Sequence, residues 1–497
     1  MRPGLTHRVT KALYYISIIV IVLCVIRLYR GATGPIADTI HPRYGGCRIT
    51  AKGRSGTLLL KGTVLTSQGA LDDTSVLISS GTIAAVGSKL DATGATVLDC
   101  AGSVISPGFI NTHEHISYST VAPFQDFGEK VRHRHDWRVG ARNNTLREPL
   151  VNVNTEDAIT WGELRHIFSG TTSIVGGAMV AGLARNLDFA LGMEADLGLP
   201  PDVYDVFPLD DPLGILRDAD CDYGAGAIDL DRASKYKKYL IHVGEGLGEE
   251  AANEFRCLSN SAYDVLPLPG GGGLSTDIIA PNVALIHALG LTQSDFDLVA
   301  KRGAHVVWSP RSNVFLYGKT LDVNYLLDAG INVALGTDWL PSGSATMSRE
   351  AYCALTATQK VFGYTLGSKT VWEMMTINAA KAAGFEEHLG SIEVGKLADI
   401  VVFRGRGTGD AFAQAAYAAE EDIELVLRGG KVLVAKPDLD ALFTDACEAV
   451  QFGHVEKMIC VAGELGSSFA HFEKSLGGVY SAILPGVPPD EPSCEPS

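Results

Sequence analysis

Past residue 56 the chain is a succession of short apolar runs set between polar, glycine-rich breaks, and the spacing of those runs changes twice. In 57–107 the runs TLLLKGTVL, TSVLIS, TIAAVG and TVLDC are separated only by short breaks rich in Gly, Asp and Ser, a pattern of small antiparallel strands. In 108–390 the runs FINTH, TTSIVGG, DVYDVF, KYLIHVG, VALIHALG, AHVVWS and INVALGTD stand apart by stretches long enough for helices, the rhythm of parallel strands joined by crossovers. In 391–435 the close β spacing returns as ADIVVF and ELVLRGGKVLV. The prediction is an α/β fold: a (β/α)8 TIM barrel over 108–390 with a discontinuous small β-sandwich built from both flanks, 57–107 and 391–435. Seven barrel strands are visible, and the fourth, expected between Phe207 and Lys238, is not. LPLPGGGGLS, from Leu266 to Ser275, reads as a loop at the barrel mouth or a surface insertion. The tail, 436–497, predicts one or two helical segments and a disordered Pro-rich end.

The N-terminus has a different character. Arg2, Arg8 and Lys11 precede the apolar run ALYYISIIVIVLCVI, from Ala12 to Ile26. Its fifteen residues fall short of the ~20 that span a bilayer, but Arg27 and Arg30 can snorkel. Bulky Ile26, Leu28 and Tyr29 follow the run, where a cleaved signal peptide wants small residues, so a signal anchor is the preferred reading of 1–30 over a signal peptide. Residues 31–56 then read as a linker. These readings imply a membrane contact through this segment and a membrane-anchored or secreted protein whose catalytic part is luminal or extracellular.

Composition narrows the rest. A 46% apolar and 20% charged chain of 497 residues supports one large buried core. A net charge of −16 repels a phosphate backbone, which excludes nucleic acid as a partner. Nine cysteines form no CxxC pair and no Cys/His cluster, so no zinc finger or thioredoxin-like site is encoded. Cys447 and Cys460 are the pair to examine for a bridge, against two buried free thiols.

The chemistry lies at the ends of the central runs. His113 and His115, two apart, present both imidazoles to one point if they continue a strand, although H-x-H alone also fits two polar loop residues. His242 sits near the end of KYLIHVG, His287 falls in VALIHALG and Asp338 ends INVALGTD, each a polar group within or closing an apolar run. Buried His and Asp are costly without partners, and catalytic groups of a parallel barrel gather where its strands end. A metal centre follows from that convergence. HExxH and PCxxC are both absent.

PGFINTHEH, HVGEG, LIHALGL, WSPRSNVFLYG and LGTDW, in this order between residues 57 and about 435, resemble the amidohydrolase superfamily, and most the branch of cytosine deaminase, the triazine hydrolases and the methylthioadenosine/S-adenosylhomocysteine deaminases. The resemblance implies one divalent ion, zinc or iron, bound by His113, His115, His242 and Asp338. Binuclear relatives carry a carboxylated lysine on the fourth strand, and Lys235, Lys237 and Lys238 lie in a polar segment instead. It further implies metal-activated water, with Asp338 taking the water proton and His287 polarising the bond under attack. Glu245, three residues after His242, passes the proton to a substrate nitrogen, or is a solvated loop carboxylate. Two features depart from the familiar deaminases. HRHDWRVGAR puts Trp137 and Arg138 beside the mouth, suited to stacking on a ring and gripping an acidic group, or else holding Asp136 in an ion pair. Trp339 follows the metal Asp and Asn313 follows SPRS as a further substrate contact, so a purine nucleoside does not carry over safely. The implied activity is hydrolysis of a non-peptide C–N bond of a small molecule, deaminase-like. Amidase, lactamase or chlorohydrolase chemistry is the alternative, and a non-catalytic barrel scaffold the reading from another class. A homo-oligomer is expected.

Overall fold

The computed structural model describes residues 46–496 except 55, 127, 148, 150–154, 194–196, 266–273, 406–408 and 444–446. Both flanks of the chain enter one ten-stranded sheet. Its path runs Glu448–Phe452, Val455–Ile459, Lys431–Ala435, Ile423–Arg428, Ile400–Phe403, Thr96–Pro107, Thr57–Thr66, Gly69–Ser79, Thr82–Gly87, with Arg48–Ala51 paired onto Thr96–Pro107. The join between flanks is the antiparallel pair that sets Ile400 opposite Pro107 and Phe403 opposite Val104. Strand alternation explains the packing. Leu58, Leu60, Ile105, Ile400, Val402, Leu425 and Leu427 fill one core cluster, whereas Val104, Val401, Phe403 and Val426 face another that contains Trp161 and Phe168. A strand buried on both faces reads as a continuous apolar run, which is why ADIVVF stands out.

Eight short strands between the flanks are parallel. They are β1 (Phe109–Asn111), β2 (Thr171–Ile174), β3 (Arg185–Asn186), β4 (Val203–Asp205), β5 (Tyr239–Val243), β6 (Val283–His287), β7 (His305–Trp308) and β8 (Asn332–Leu335). β1 to β3 form one sheet and β4 to β8 another. Hydrogen bonds cross both seams: Asp338 N–H donates to His113 O (2.9 Å) beside β8 and β1, and Asp202 N–H donates to Leu187 O (2.8 Å) beside β3 and β4. The strand missing from the hydropathy pattern is β3, which lies before DVYDVF rather than after it. Among the described residues 207–238 contain no strand, only a helical turn at Leu230–Ala233. β3 escapes a hydropathy reading because it is two polar residues: Arg185 is buried by an ion pair to Asp399 (2.6 Å), and Asn186 bonds the carbonyls of Val180 and Ala184.

The N-terminal reading is corrected. Among the described residues no helix is long and apolar enough to cross a membrane, which overturns the expected membrane-anchored or secreted placement. The run Ala12–Ile26, like most of the loop Leu266–Ser275, lies outside the described residues.

The tail also departs from expectation. It adds two strands to the flanking sheet, and its Pro-rich end packs onto the body. Trp161 Nε1 donates to Tyr480 O (2.8 Å) and Arg165 Nε to Ser481 O (2.8 Å). The Glu491 carboxylate meets Arg349 (2.5 Å) and Arg311 (3.3 Å), and buried Arg311 also donates to Pro492 O. Cys353–Cys494 ties the end down, and Cys47–Cys100, Cys221–Cys257 and Cys447–Cys460 are also bridged. Proline preset in φ needs no strand or helix to be ordered when its neighbours supply distant partners. Replacing Cys494 by Ser removes the tether that keeps Arg311 partnered, and is expected to cost about 2–4 kcal/mol. A lowered urea or thermal midpoint checks it, and an unchanged midpoint would show that the tail is held without the bridge.

Candidate active site

Because β1, β5, β6 and β8 are parallel, the residues that close them share one end of the strand set. Leu240, Ala284, Ile286, Val307 and Ala334 point to the inner core cluster, and Ile241, Val243, Leu285, Val306 and Val333 to the outer one. His242 has the parity of Leu240 and faces inward. His287 has the parity of outward Leu285, and it adopts a left-handed backbone (φ 66°) that breaks the alternation. Asp338 is left-handed too (φ 61°). Such non-glycine conformations cost of order 1–3 kcal/mol each and cluster at functional sites. Glycine sets the spacing between β8 and β1: a Cβ on Gly336 would lie 2.4 Å from His113 Cβ.

The polar groups converge tightly. His113 Nε2 is 3.0 Å from His242 Nε2, 3.3 Å from His115 Nε2 and 3.3 Å from Asp338 Oδ1, and His115 Nε2 is 3.5 Å from Asp338 Oδ1. Ligand bonds of about 2.1 Å in a tetrahedron separate the donor atoms by roughly 3.4 Å, a spacing that His113, His115 and Asp338 meet, while His242 groups with His113 and His287. The far nitrogens are engaged from behind, His113 Nδ1 by Ser309 Oγ (2.8 Å) and His242 Nδ1 by Asp205 O (3.2 Å), which turns both Nε2 atoms to the centre. Burial, reinforced by the neighbouring imidazoles, holds His113 and His242 well below the usual histidine range. Burial also lowers His115, against the pull of Asp338 and Glu114. These are neutral rings, the form that ligates a metal. Burial pushes the Asp338 carboxyl up, opposed by His287 and His115.

Around this cluster sits a cavity of about 210 Å3. His287 Nε2 is 3.7 Å from both Asp338 Oδ2 and Glu245 Oε2. Tyr317 O–H donates to Glu245 Oε1 (2.6 Å) and accepts from Trp137 Nε1 (3.1 Å). The segment carrying Trp137 is fastened to HVGEG by Arg134 N–H to Glu245 O (3.0 Å) and Leu247 N–H to Arg132 O (2.8 Å), with Gly246 leaving room for the Arg132 carbonyl. Trp137 and Arg138 line the cavity, and Asp136 pairs with Arg142 (2.7 Å). The Arg138 guanidinium lies over Phe207 (4.6 Å) and donates to Pro212 O. Asn313 does not line the cavity: fully buried, its Oδ1 accepts from His287 Nδ1 (3.1 Å) and orients that ring. Sequence reasoning missed Tyr317, Tyr204, Arg134 and Phe207. Tyr204 O–H lies 3.2 Å from His115 Nε2, and the alternation of DVYDVF was its only signal.

A buried cluster of imidazoles and carboxylates at the ends of parallel strands, shaped for one cation, defines a metal-dependent hydrolase. The family model for the amidohydrolase family matches residues 230–433. The 5-methylthioadenosine/S-adenosylhomocysteine deaminase of Thermococcus onnurineus (strain NA1) is 26% identical over 407 residues, 73% of this chain and 90% of the relative. The 5'-deoxyadenosine deaminase of Methanosarcina barkeri (strain Fusaro / DSM 804) is 26% identical over 399 residues, 74% and 89% of the two chains. Among solved structures, an adenosine deaminase from Xanthomonas campestris with bound zinc superposes with a TM-score of 0.52 at 20% identity, covering 76% of this chain and 92% of its own. A triazine hydrolase variant gives 0.56 at 18%, covering 77% and 95%. These two likenesses concern the fold.

Gly336→Ala tests the spacing of β8 and β1. The added methyl has no room beside His113, so metal per chain is expected to fall well below that of the wild type while the far-ultraviolet circular dichroism is kept. Full metal content in this variant would mean that β8 can move aside.

Proposed function

We propose that this chain is a hydrolytic deaminase in which His113, His115, His242 and Asp338 hold one divalent ion, zinc or iron. In this reading the eight parallel strands form a (β/α)8 barrel over 108–390, and 57–107 with 391–435 form its β-sandwich. The observation that carries the proposal is Glu245: a buried carboxylate, fixed by Tyr317, beside His287 and the four-ligand cluster. A scaffold without chemistry has no use for that arrangement. The deaminase names of the relatives support the reaction type, and the zinc in the Xanthomonas structure supports zinc over iron.

A divalent ion at this position lowers the pKa of a water toward about 7. The residues supply the rest. Asp338, whose affinity for protons burial raises, accepts the proton released from the water. With Nδ1 donating to Asn313, His287 turns Nε2 toward the entering oxygen, 3.7 Å from each of the two carboxylates. Glu245 delivers a proton to the substrate nitrogen. The water oxygen joins the carbon; as the C–N bond breaks, the proton held by Asp338 passes to the leaving amino group and the hydroxyl proton returns to Glu245, so ammonia leaves and a carbonyl remains. Trp137 stacks on the substrate, and Arg138 meets an acidic or carbonyl substituent.

Two substitutions separate the carboxylates. Asp338→Asn loses a ligand and the proton acceptor, so metal content and rate are expected to fall together. Glu245→Gln keeps all four ligands, so metal is expected to stay while the rate drops by roughly 10² to 10⁴. Metal analysis and ammonia release across cyclic amidines read both, and an unchanged rate in Glu245→Gln on every substrate would sink the proton-transfer role. His113→Ala removes one ligand of four and is expected to strip the metal while the fold survives on its own core. Retention of both metal and turnover would show the ligand set to be wrong.

A further inference from the structure

The wall of the cavity bears on which substrates reach the cluster. Trp137 and Trp339, both nearly buried, lie with ring centroids 4.7 Å apart and planes 31° from parallel. Both line the cavity. Each indole is pinned at its N–H: Trp339 Nε1 donates to Ser342 Oγ (2.5 Å) and Trp137 Nε1 to Tyr317 O–H (3.1 Å). Tyr118 and Phe124 meet Trp339 edge-on at 5.1 and 5.5 Å. To swing away, either ring must give up a buried N–H hydrogen bond and aromatic contacts, so the pair is a fixed wall rather than a gate. Another stretch of wall is Phe207, itself flanked by the Arg138 and Arg134 guanidinium groups at 4.6 and 5.2 Å. The space that these flat groups leave, about 210 Å3, is below the roughly 300–1,000 Å3 of pockets that bury drug-sized ligands.

We propose that Trp137 and Trp339 set the size limit of the site, admitting a single planar ring to the His113–Asp338 cluster and excluding a purine nucleoside. The inference rests on the C–N hydrolase reading for what the ring undergoes, but the wall acts on binding. It separates this chain from relatives named for nucleoside substrates at residues that neither hold the metal nor move a proton.

The test titrates the zinc-loaded full-length protein calorimetrically with adenosine and with cytosine, and follows ammonia release from each. The wild type is expected to exclude adenosine. Trp339→Ala is expected to raise adenosine affinity at least about tenfold over wild type, the scale on which pocket shape discriminates. Trp137→Leu opens the same wall from its other half and decides the matter if Trp339→Ala fails to hold zinc. Adenosine binding by the wild type at least as tight as cytosine, or no gain in either variant, overturns the proposal. Ammonia release from no ring compound, with adenosine affinity still rising in the variants, counts against the deaminase reading and supports the wall.

Discussion

Everything in this molecule answers to one constraint: several imidazoles and carboxylates share one largely buried point. His113 Nε2 stands 3.0 to 3.3 Å from His242 Nε2, His115 Nε2 and Asp338 Oδ1, and His115 Nε2 is 3.5 Å from Asp338 Oδ1. Without a cation the carboxylate is desolvated and the neutral rings turn their lone pairs on one another. A divalent ion would offset both costs. Holding the atoms there requires that the strands be fixed before the ion arrives, and the structure does this with backbone. Asp338 N–H bonds His113 O, Gly336 lets β8 press on β1, and left-handed turns at His287 and Asp338 aim side chains that regular strands would aim elsewhere.

The mouth is built by a second buried polar network. His133 and Arg134 meet Glu254, and Arg134 and His135 meet Asp211 at 2.8 and 2.7 Å. Burial opposes ionisation of Asp211, yet Arg134 and His135 together hold its carboxyl well below the usual range. Losing one partner of such a network leaves an uncompensated buried charge, a cost of about 3–5 kcal/mol. The helix Arg134–Val139 is therefore rigidly seated, and Trp137 with it. Through Tyr317 the same helix reaches Glu245, so Trp137 and that carboxylate share one hydrogen-bonded unit.

The flanks serve the centre from outside. The sheet joining both ends of the chain packs Val401 and Phe403 beneath the strands, and Asp399 neutralises Arg185 of β3. The tail secures Arg311, whose Nε donates to Ser344 in the turn after Trp339 (2.5 Å). A segment more than 140 residues away in sequence thus supports the loop that follows Asp338.

The sequence by itself determined the strands that are apolar on one face or both, because burial forces periodicity. It also singled out His113, His115, His242, His287 and Asp338, because a polar residue at the end of an apolar strand is costly to bury unless partners meet it there. Only the tertiary structure decided what depends on partners far along the chain. β3 is two polar residues that are a strand because Asp399 offsets the burial of Arg185. Asn313 reads as a substrate contact, and only the fold shows its bond to His287. Tyr317 carries no local sign of its bond to Glu245, 72 residues away. The Pro-rich end, disordered by composition, is ordered by Cys353, Arg349 and Arg311. Periodicity records what a residue does to its neighbours in the chain, and hydrogen bonds, ion pairs and disulfides across the fold leave no period to read.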